Sequence, residues 1–147
     1  MSEVHIVEWD DRFSVGIPLV DDQHRGLVKM TNDLYTGCRL GDDAARAFFL
    51  KTIHEAVDYV KLHFDTEEKI LRKISYPDYS VHKKQHEDFV MEVLNEVKNF
   101  QDGKKFVPNT FVRFLRDWVL THIAVSDKQY ADYIIQLKKQ GKLQSKA

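Results

Sequence analysis

Four stretches of the chain repeat apolar residues at three-, four- and seven-residue intervals, and this periodicity constrains the fold more than any other feature. From about Leu19 to Arg39, Val20, His24, Leu27, Leu34 and Cys38 share one helical face. From about Asp43 to Ser75 the stripe is Phe49, Ile53, Ala56, Val60, His63, Glu67, Ile70 and Ile74. At about 1.5 Å per residue that helix is about 50 Å long. From about Asp78 to Gln101 the face carries Tyr79, His82, His86, Phe89, Val93, Val97 and Phe100. The fourth stretch opens near Pro108-Asn109 and carries Phe111, Leu115, Trp118, Val119, His122 and Ile123. A further helical run, Lys128 to Lys139, adds Tyr130, Tyr133, Ile134 and Leu137, and no segment alternates as a strand does.

The six glycines and three prolines read as punctuation. Gly41-Asp42-Asp43 supplies a turn and an N-cap candidate. Tyr76-Pro77 stops the long helix, because the residue before a proline avoids the helical region. Asp102-Gly103 ends the next. Met1 to Pro18 mixes Trp9, Phe13 and Ile17 with Gly16 and shows no period, so it is expected to be an arm that packs its aromatics on the body. The expected architecture is all-α: an antiparallel up-down-up-down four-helix bundle. It comprises one domain over 1–147, with an arm at 1–18, the bundle at about 19–123 and a short C-terminal helix at about 127–140. Lys142 to Ala147 reads as a frayed end.

Composition removes whole classes of function. Basic and acidic residues number 22 and 23, which excludes the basic footprint of a nucleic-acid binder and a disordered polyelectrolyte. The lone Cys38 permits no intrachain disulfide and fits a reducing compartment. No uncharged apolar run reaches the ~18 residues of a membrane span. The stretch Met1 to Trp9, with Glu3, His5 and Glu8, lacks the basic start and apolar run of a signal peptide. A cytoplasmic monomer without membrane contact is the expectation.

The seven histidines carry the chemistry. One histidine on an apolar stripe is ordinarily a satisfied core residue. Here five lie on such stripes, His24, His63, His82, His86 and His122, and every long helix brings one or two inward. Buried unpaired imidazoles are costly, and protonated neighbours repel one another. A shared metal removes both difficulties, since neutral imidazole is a common ligand. His82 and His86 are four apart and can reach one ion, and His63 and Glu67 have the same spacing. His54 lies nine residues before His63, on the opposite side of the helix, and His5 lies in the arm. Neither is expected to be a ligand. Imidazole and carboxylate without thiolate disfavour structural zinc and iron–sulfur sites. Calcium and magnesium prefer oxygen ligands. Five histidines suggest two ions, with iron, manganese or copper open on ligand type alone.

The order Asp22-Gln23-His24, His63-Phe64-x-x-Glu67-Glu68, His82-Lys-Lys-Gln-His86 and Trp118-x-x-x-His122-Ile123-x-x-x-Asp127 resembles the hemerythrin family in its single-domain bacterial form. The likeness runs from about Val7 to about Tyr133. It implies a non-haem di-iron centre that binds dioxygen reversibly. By that resemblance His82, His86 and His122 would hold one iron, and His24 and His63 the other. Glu67 and Asp127 would bridge the two, with an oxo or hydroxo group between them. Dioxygen would occupy the open position on the two-histidine iron. Phe64, Trp118, Val119 and Ile123 would line an apolar pocket there. Val119 stands where the family usually has leucine, which implies a roomier pocket and faster autoxidation. Glu68 and Tyr130 are candidates for contacts behind the ligands.

Asp127 follows His122 by five residues, about 140° round an α-helix, so either the helix opens or bends around Ala124-Val125-Ser126 or Asp127 is not a ligand; a local break there is expected. The role implied is oxygen storage or delivery rather than catalysis. Other readings are an oxygen or redox sensor with a separate and unknown protein partner, a di-iron oxidase or peroxidase, and iron handling.

Overall fold

The structure is a computed structural model that describes residues 5–103 and 108–141. Residues 1–4 of the expected arm and the expected frayed end at 142–147 lie outside the described residues. Helices α1 (Pro18–Cys38), α2 (Asp42–Lys73), α3 (Tyr79–Gln101) and α4 (Pro108–Thr121) are followed by a six-residue π-helical turn, His122–Asp127. Helix α5 (Lys128–Lys139) follows directly. Among the described residues there is no strand.

The contacts give an antiparallel bundle. Between α1 and α2, Gln23 meets His63, Gly26 meets Tyr59 and Gly37 meets Phe48, so one number falls as the other rises. Between α2 and α3, Phe49 meets Phe100 and Phe64 meets His86. Helix α1 also packs on α4.

Three local readings are corrected. The first concerns two glycines. Gly26 and Gly37 are not punctuation but lie inside α1, where a Cβ would fall 2.0 Å from the Tyr59 hydroxyl and 2.2 Å from the Phe48 ring. They allow α1 to lie close against α2. The second concerns the start of α2, which is capped by Gly41, with φ of 97°, a conformation that favours glycine, and no capping side chain. The third concerns its end, which comes at Lys73, ahead of Pro77. Tyr76 N–H donates to the Leu71 carbonyl at 3.0 Å and Ser75 N–H to that of Arg72 at 3.1 Å, while Ser75 takes φ of 52°. That is a Schellman stop with serine in the position glycine usually fills.

The arm is tied down by side chains of α1. Asn32 accepts from the Ile6 and Val7 amides, at 2.9 Å each, and donates to the Val7 carbonyl at 2.8 Å. Asp21 accepts from the Ser14 hydroxyl and the Val15 amide, both at 2.7 Å. These bonds satisfy arm backbone that a helix or sheet would otherwise have paired. The apolar interior falls into two clusters. The larger includes Leu27, Phe49, Phe64, Phe89, Leu115 and Ile123. The smaller includes Val20, Leu71, Tyr76, Tyr130 and Ile134.

Candidate metal centre

Helices α1, α2 and α3 and the π turn after α4 each deliver polar side chains to one buried layer. Helix α1 brings His24, α2 brings His63 and Glu67, α3 brings His82 and His86, and the π turn brings His122 and Asp127. All seven are buried, and Glu67, Asp127 and His24 are wholly inaccessible to solvent. Burying two carboxylates and five imidazoles costs several kcal/mol per charge unless something compensates it.

The π turn settles the Asp127 spacing. The α-helix opens after His122, over the expected residues, but it does so by widening into a π turn rather than by leaving the helix, and the residue five places on comes back beneath its start. Asp127 Oδ1 therefore lies 3.1 Å from His122 Nε2.

The ligand-type atoms form two groups, each with all its atoms within 4.8 Å of one another. One group is Glu67, His82, His86, His122 and Asp127; the other is His24, His63, Glu67 and Asp127. The two carboxylates belong to both. His24 Nε2 lies 3.0 Å from Asp127 Oδ2 and 3.4 Å from Glu67 Oε2. His63 Nε2 lies 3.4 Å, and His86 Nε2 3.3 Å, from Glu67 Oε1. His82 Nε2 lies 3.1 Å from Asp127 Oδ1. His86 Nε2 meets His122 Nε2 at 3.0 Å, but most of the other close pairs leave atoms unsatisfied. Buried atoms without a hydrogen-bond partner, among the described residues, are His24 Nε2, His82 Nε2, Glu67 Oε1, both Asp127 oxygens and Gln85 Oε1. All but the last lie in this layer. So many buried ligand-type atoms crowded within about 3 Å, with so few hydrogen bonds among them unless the rings are protonated, fit a shared ion, and the donor set suits a non-haem metal.

The outward nitrogens, by contrast, are held. His24 Nδ1 meets the Phe13 carbonyl at 3.1 Å, His63 Nδ1 the Gln23 amide oxygen at 2.7 Å, and His86 Nδ1 the Glu68 carboxylate at 2.9 Å. Tyr130, fully buried, donates its hydroxyl to Glu67 Oε2 at 2.7 Å. Such outer partners fix the ring orientation and tautomer of a ligand.

Without a metal, protons balance the carboxylates. At His24 burial disfavours the charged ring, but Asp127 and Glu67 outweigh it and push the pKa up to about 10. The same contest carries His82 up to about 9. At His63 burial wins, against the pull of Glu67, and the pKa falls to about 4. Burial resists ionisation of Glu67, yet His63 and the other imidazoles hold its carboxyl well below the ordinary range. Asp127 is also held low, against burial and the charge of Glu67, chiefly by His122. Burial and the neighbouring carboxylates push Tyr130 well above its usual value, so it remains a donor.

Aromatic rings cover the imidazoles. Phe64 stacks on His86 at 3.8 Å with planes 1° apart, and Trp118 stacks on His122 at 4.3 Å and 11°. Val119 and Ile123 are buried in the adjoining core. His54 is exposed and bonded to Gln101, and His5 lies in the arm against Glu8.

Residues 15–134 match the family model described as "Hemerythrin HHE cation binding domain". The chain belongs to the hemerythrin family. The bacteriohemerythrin of Stenotrophomonas maltophilia is 32% identical over 129 residues, covering 88% of this chain and 82% of that protein. The bacteriohemerythrin of Methylococcus capsulatus is 33% identical over 118 residues, covering 80% and 88%. Two crystal structures of hemerythrin align at 31% identity. One carries a leucine-to-alanine substitution, with a TM-score of 0.81 over 88% of this chain and 97% of that one. The other is the wild type, with a TM-score of 0.80 over 86% and 96%. Among the described residues of this hemerythrin-family chain, no helix is long and apolar enough to cross a membrane. Family and donor set together support a non-haem iron site in an oxygen-binding protein.

Sequence reasoning gave no role to Gln23 or to the Phe13 carbonyl. Gln23 lies next to His24 in the chain, and its bond to His63 depends on the register between α1 and α2. The carbonyl belongs to backbone, which carries no side-chain signal.

Proposed function

We propose that this hemerythrin-family chain binds dioxygen reversibly at a centre of two iron ions and stores oxygen or delivers it to oxygen-requiring enzymes, as a cytoplasmic monomer. The observation that best supports this reading is the pair of buried carboxylates, Glu67 and Asp127, shared by two groups of imidazoles and lacking partners on three of their four oxygens. His82, His86 and His122 would hold one iron, His24 and His63 the other, with Glu67 and Asp127 between them. A solvent-derived oxo or hydroxo group would complete the bridge. Two adjacent ferrous ions would supply the two electrons that reversible dioxygen binding requires.

The chain's own residues do the rest. Tyr130 holds Glu67 by one oxygen and leaves the other facing the layer. The outer acceptors keep His24, His63 and His86 with Nε2 turned inward. The half with two imidazoles would have one ligand fewer and so a position to spare. Phe64, whose ring stacks on His86 and also lies 6.0 Å from that of His63, would with Trp118, Val119 and Ile123 wall the layer with apolar groups. A dry wall excludes the water and protons that convert an oxygen carrier to its oxidised, inactive form.

The test is anaerobic loading with ferrous iron, a metal count and a visible spectrum through air and argon. Two irons per chain and an absorption band that rises in air and fades in argon are expected. A band that rises once and persists would overturn reversible binding. Failure to bind iron would overturn the centre itself.

A further inference from the structure

The acceptors behind the imidazoles differ in charge, and the difference divides the layer. In the group of three histidines, His86 is backed by a carboxylate, Glu68. In the group of two, His63 is backed by a neutral amide and His24 by a neutral backbone carbonyl.

The direction of each bond follows from atoms that have no choice. The Leu62 carbonyl only accepts, so Thr66 commits its hydroxyl proton there at 3.0 Å. Thr66 Oγ1 must then accept from Gln23 Nε2 at 3.2 Å. That turns Gln23 Oε1 toward His63 and makes His63 Nδ1 the donor. The Tyr59 hydroxyl donates to the Gln23 carbonyl at 2.9 Å and holds the backbone of the same residue. Gly26 leaves the space that Tyr59 occupies. Gln23 is thus fixed at both ends as a neutral acceptor. Glu68 is different. It is 15% exposed and lines a cleft between α2 and α3 that also reaches Phe64 and His86.

A charged acceptor makes a hydrogen bond roughly twice as strong as a neutral one. It draws the Nδ1 proton outward and raises electron density at Nε2. We propose that Glu68 and Gln23 make the two halves of the centre unequal. The carboxylate behind His86 makes the His82, His86 and His122 half the tighter position, filled first. The amide behind His63 keeps the His24 and His63 half the weaker position, filled second. Both are positioning residues that act through the ring in front of them. The assignment rests on the two-ion reading above. It adds a loading order and a cause for it: the half with a position to spare is the half without an anionic partner.

The test is titration of the metal-free chain with Co²⁺, without air, against a competing chelator, with binding read from visible absorption. Wild type is expected to take up two ions in two resolved steps. Glu68→Gln is expected to weaken the first step by about 10- to 100-fold and leave the second within about threefold. Gln23→Glu is expected to tighten the second step and narrow the gap. The Nδ1 proton resonance of His86 in the Zn²⁺-loaded protein is expected downfield of that of His63. Glu68→Gln should move it upfield, and Gln23→Glu should move that of His63 downfield. Neither shift follows from a merely structural role. Equal weakening of both steps, or an unmoved first step with two ions still bound, overturns the assignment and leaves the two-ion reading intact. Fewer than two ions in wild type overturns both. If Glu68→Gln does not fold, an unmoved second step and an unmoved His63 resonance in Gln23→Glu overturn the assignment.

Discussion

Replacing Tyr130 with phenylalanine removes one oxygen atom from the buried layer and leaves the ring that fills the smaller core cluster. The ring is fully buried, 5.6 Å from that of His82 and 6.4 Å from that of Tyr76, and phenylalanine keeps those contacts. The lost group is the hydroxyl that donates to Glu67 Oε2 at 2.7 Å. His24 Nε2, at 3.4 Å from the same oxygen, is the nearest other donor and lies well beyond the 2.7 Å of the lost bond. A hydrogen bond to a charged group contributes about 1.5–3 kcal/mol. For a chain of this size each kcal/mol shifts the melting temperature by about 2–4 °C. The metal-free Tyr130→Phe variant should therefore melt about 3–12 °C below wild type. The hydroxyl also favours ionised Glu67, so its loss should move the onset of acid unfolding to higher pH. Urea and thermal unfolding at pH 7 and pH 5, on protein stripped of metal, measure both effects. A variant as stable as wild type, with the same acid limb, would show that the hydroxyl does not hold this carboxylate and would refute the reasoning.

The other predictions test the layer, its protons and its wall. His86→Ala should lose metal while His54→Ala, on the exposed side of α2, should retain it. Elemental analysis decides, and the reverse pattern would contradict the helix phasing. In the metal-free protein His24 and His82 have pKa values raised to about 10 and 9 from 6.5, so their stabilisation is complete below pH 6.5 and lost as pH rises through those values. Glu67 and Asp127 are depressed, so theirs is present above their unfolded values of 4.5 and 3.8 and lost on further acidification. His63, lowered to about 4, opposes stability below pH 6.5. The urea midpoint of metal-free protein should therefore peak near pH 6 and fall toward pH 10, while the loaded protein should hold up there. A flat alkaline limb in the metal-free protein would contradict protonation of the layer. Val119→Leu should slow autoxidation measured by the decay of the air spectrum; an unchanged or faster rate would remove Val119 from the account.

The helices were legible because their stripes depend only on local spacing. Phe49, Phe89 and Leu115 face inward for the same reason that His63 and His86 do. Asp127 was legible as requiring the helix to open, but not as requiring a π turn. Five residues on an α-helix point it away from His122, and spacing alone does not say whether the chain opens by leaving the helix or, as it does, by widening one turn and continuing into α5. Gly26 and Gly37 carried no legible meaning, because what they accommodate, Tyr59 and Phe48, lies on another helix. Glu68 was ambiguous, since a glutamate beside an inward-facing one can as well face water; only the pairing of α2 with α3 brings it to His86.

Gas uptake tests the central claim most directly. Anaerobic, ferrous-loaded protein is exposed to a measured volume of dioxygen and then flushed with argon, with iron counted in the same sample. One dioxygen taken up per two irons, and released again on flushing, is the expected result. Uptake without release, or release only as peroxide, would contradict reversible oxygen binding and point to an oxidase built on the same bundle.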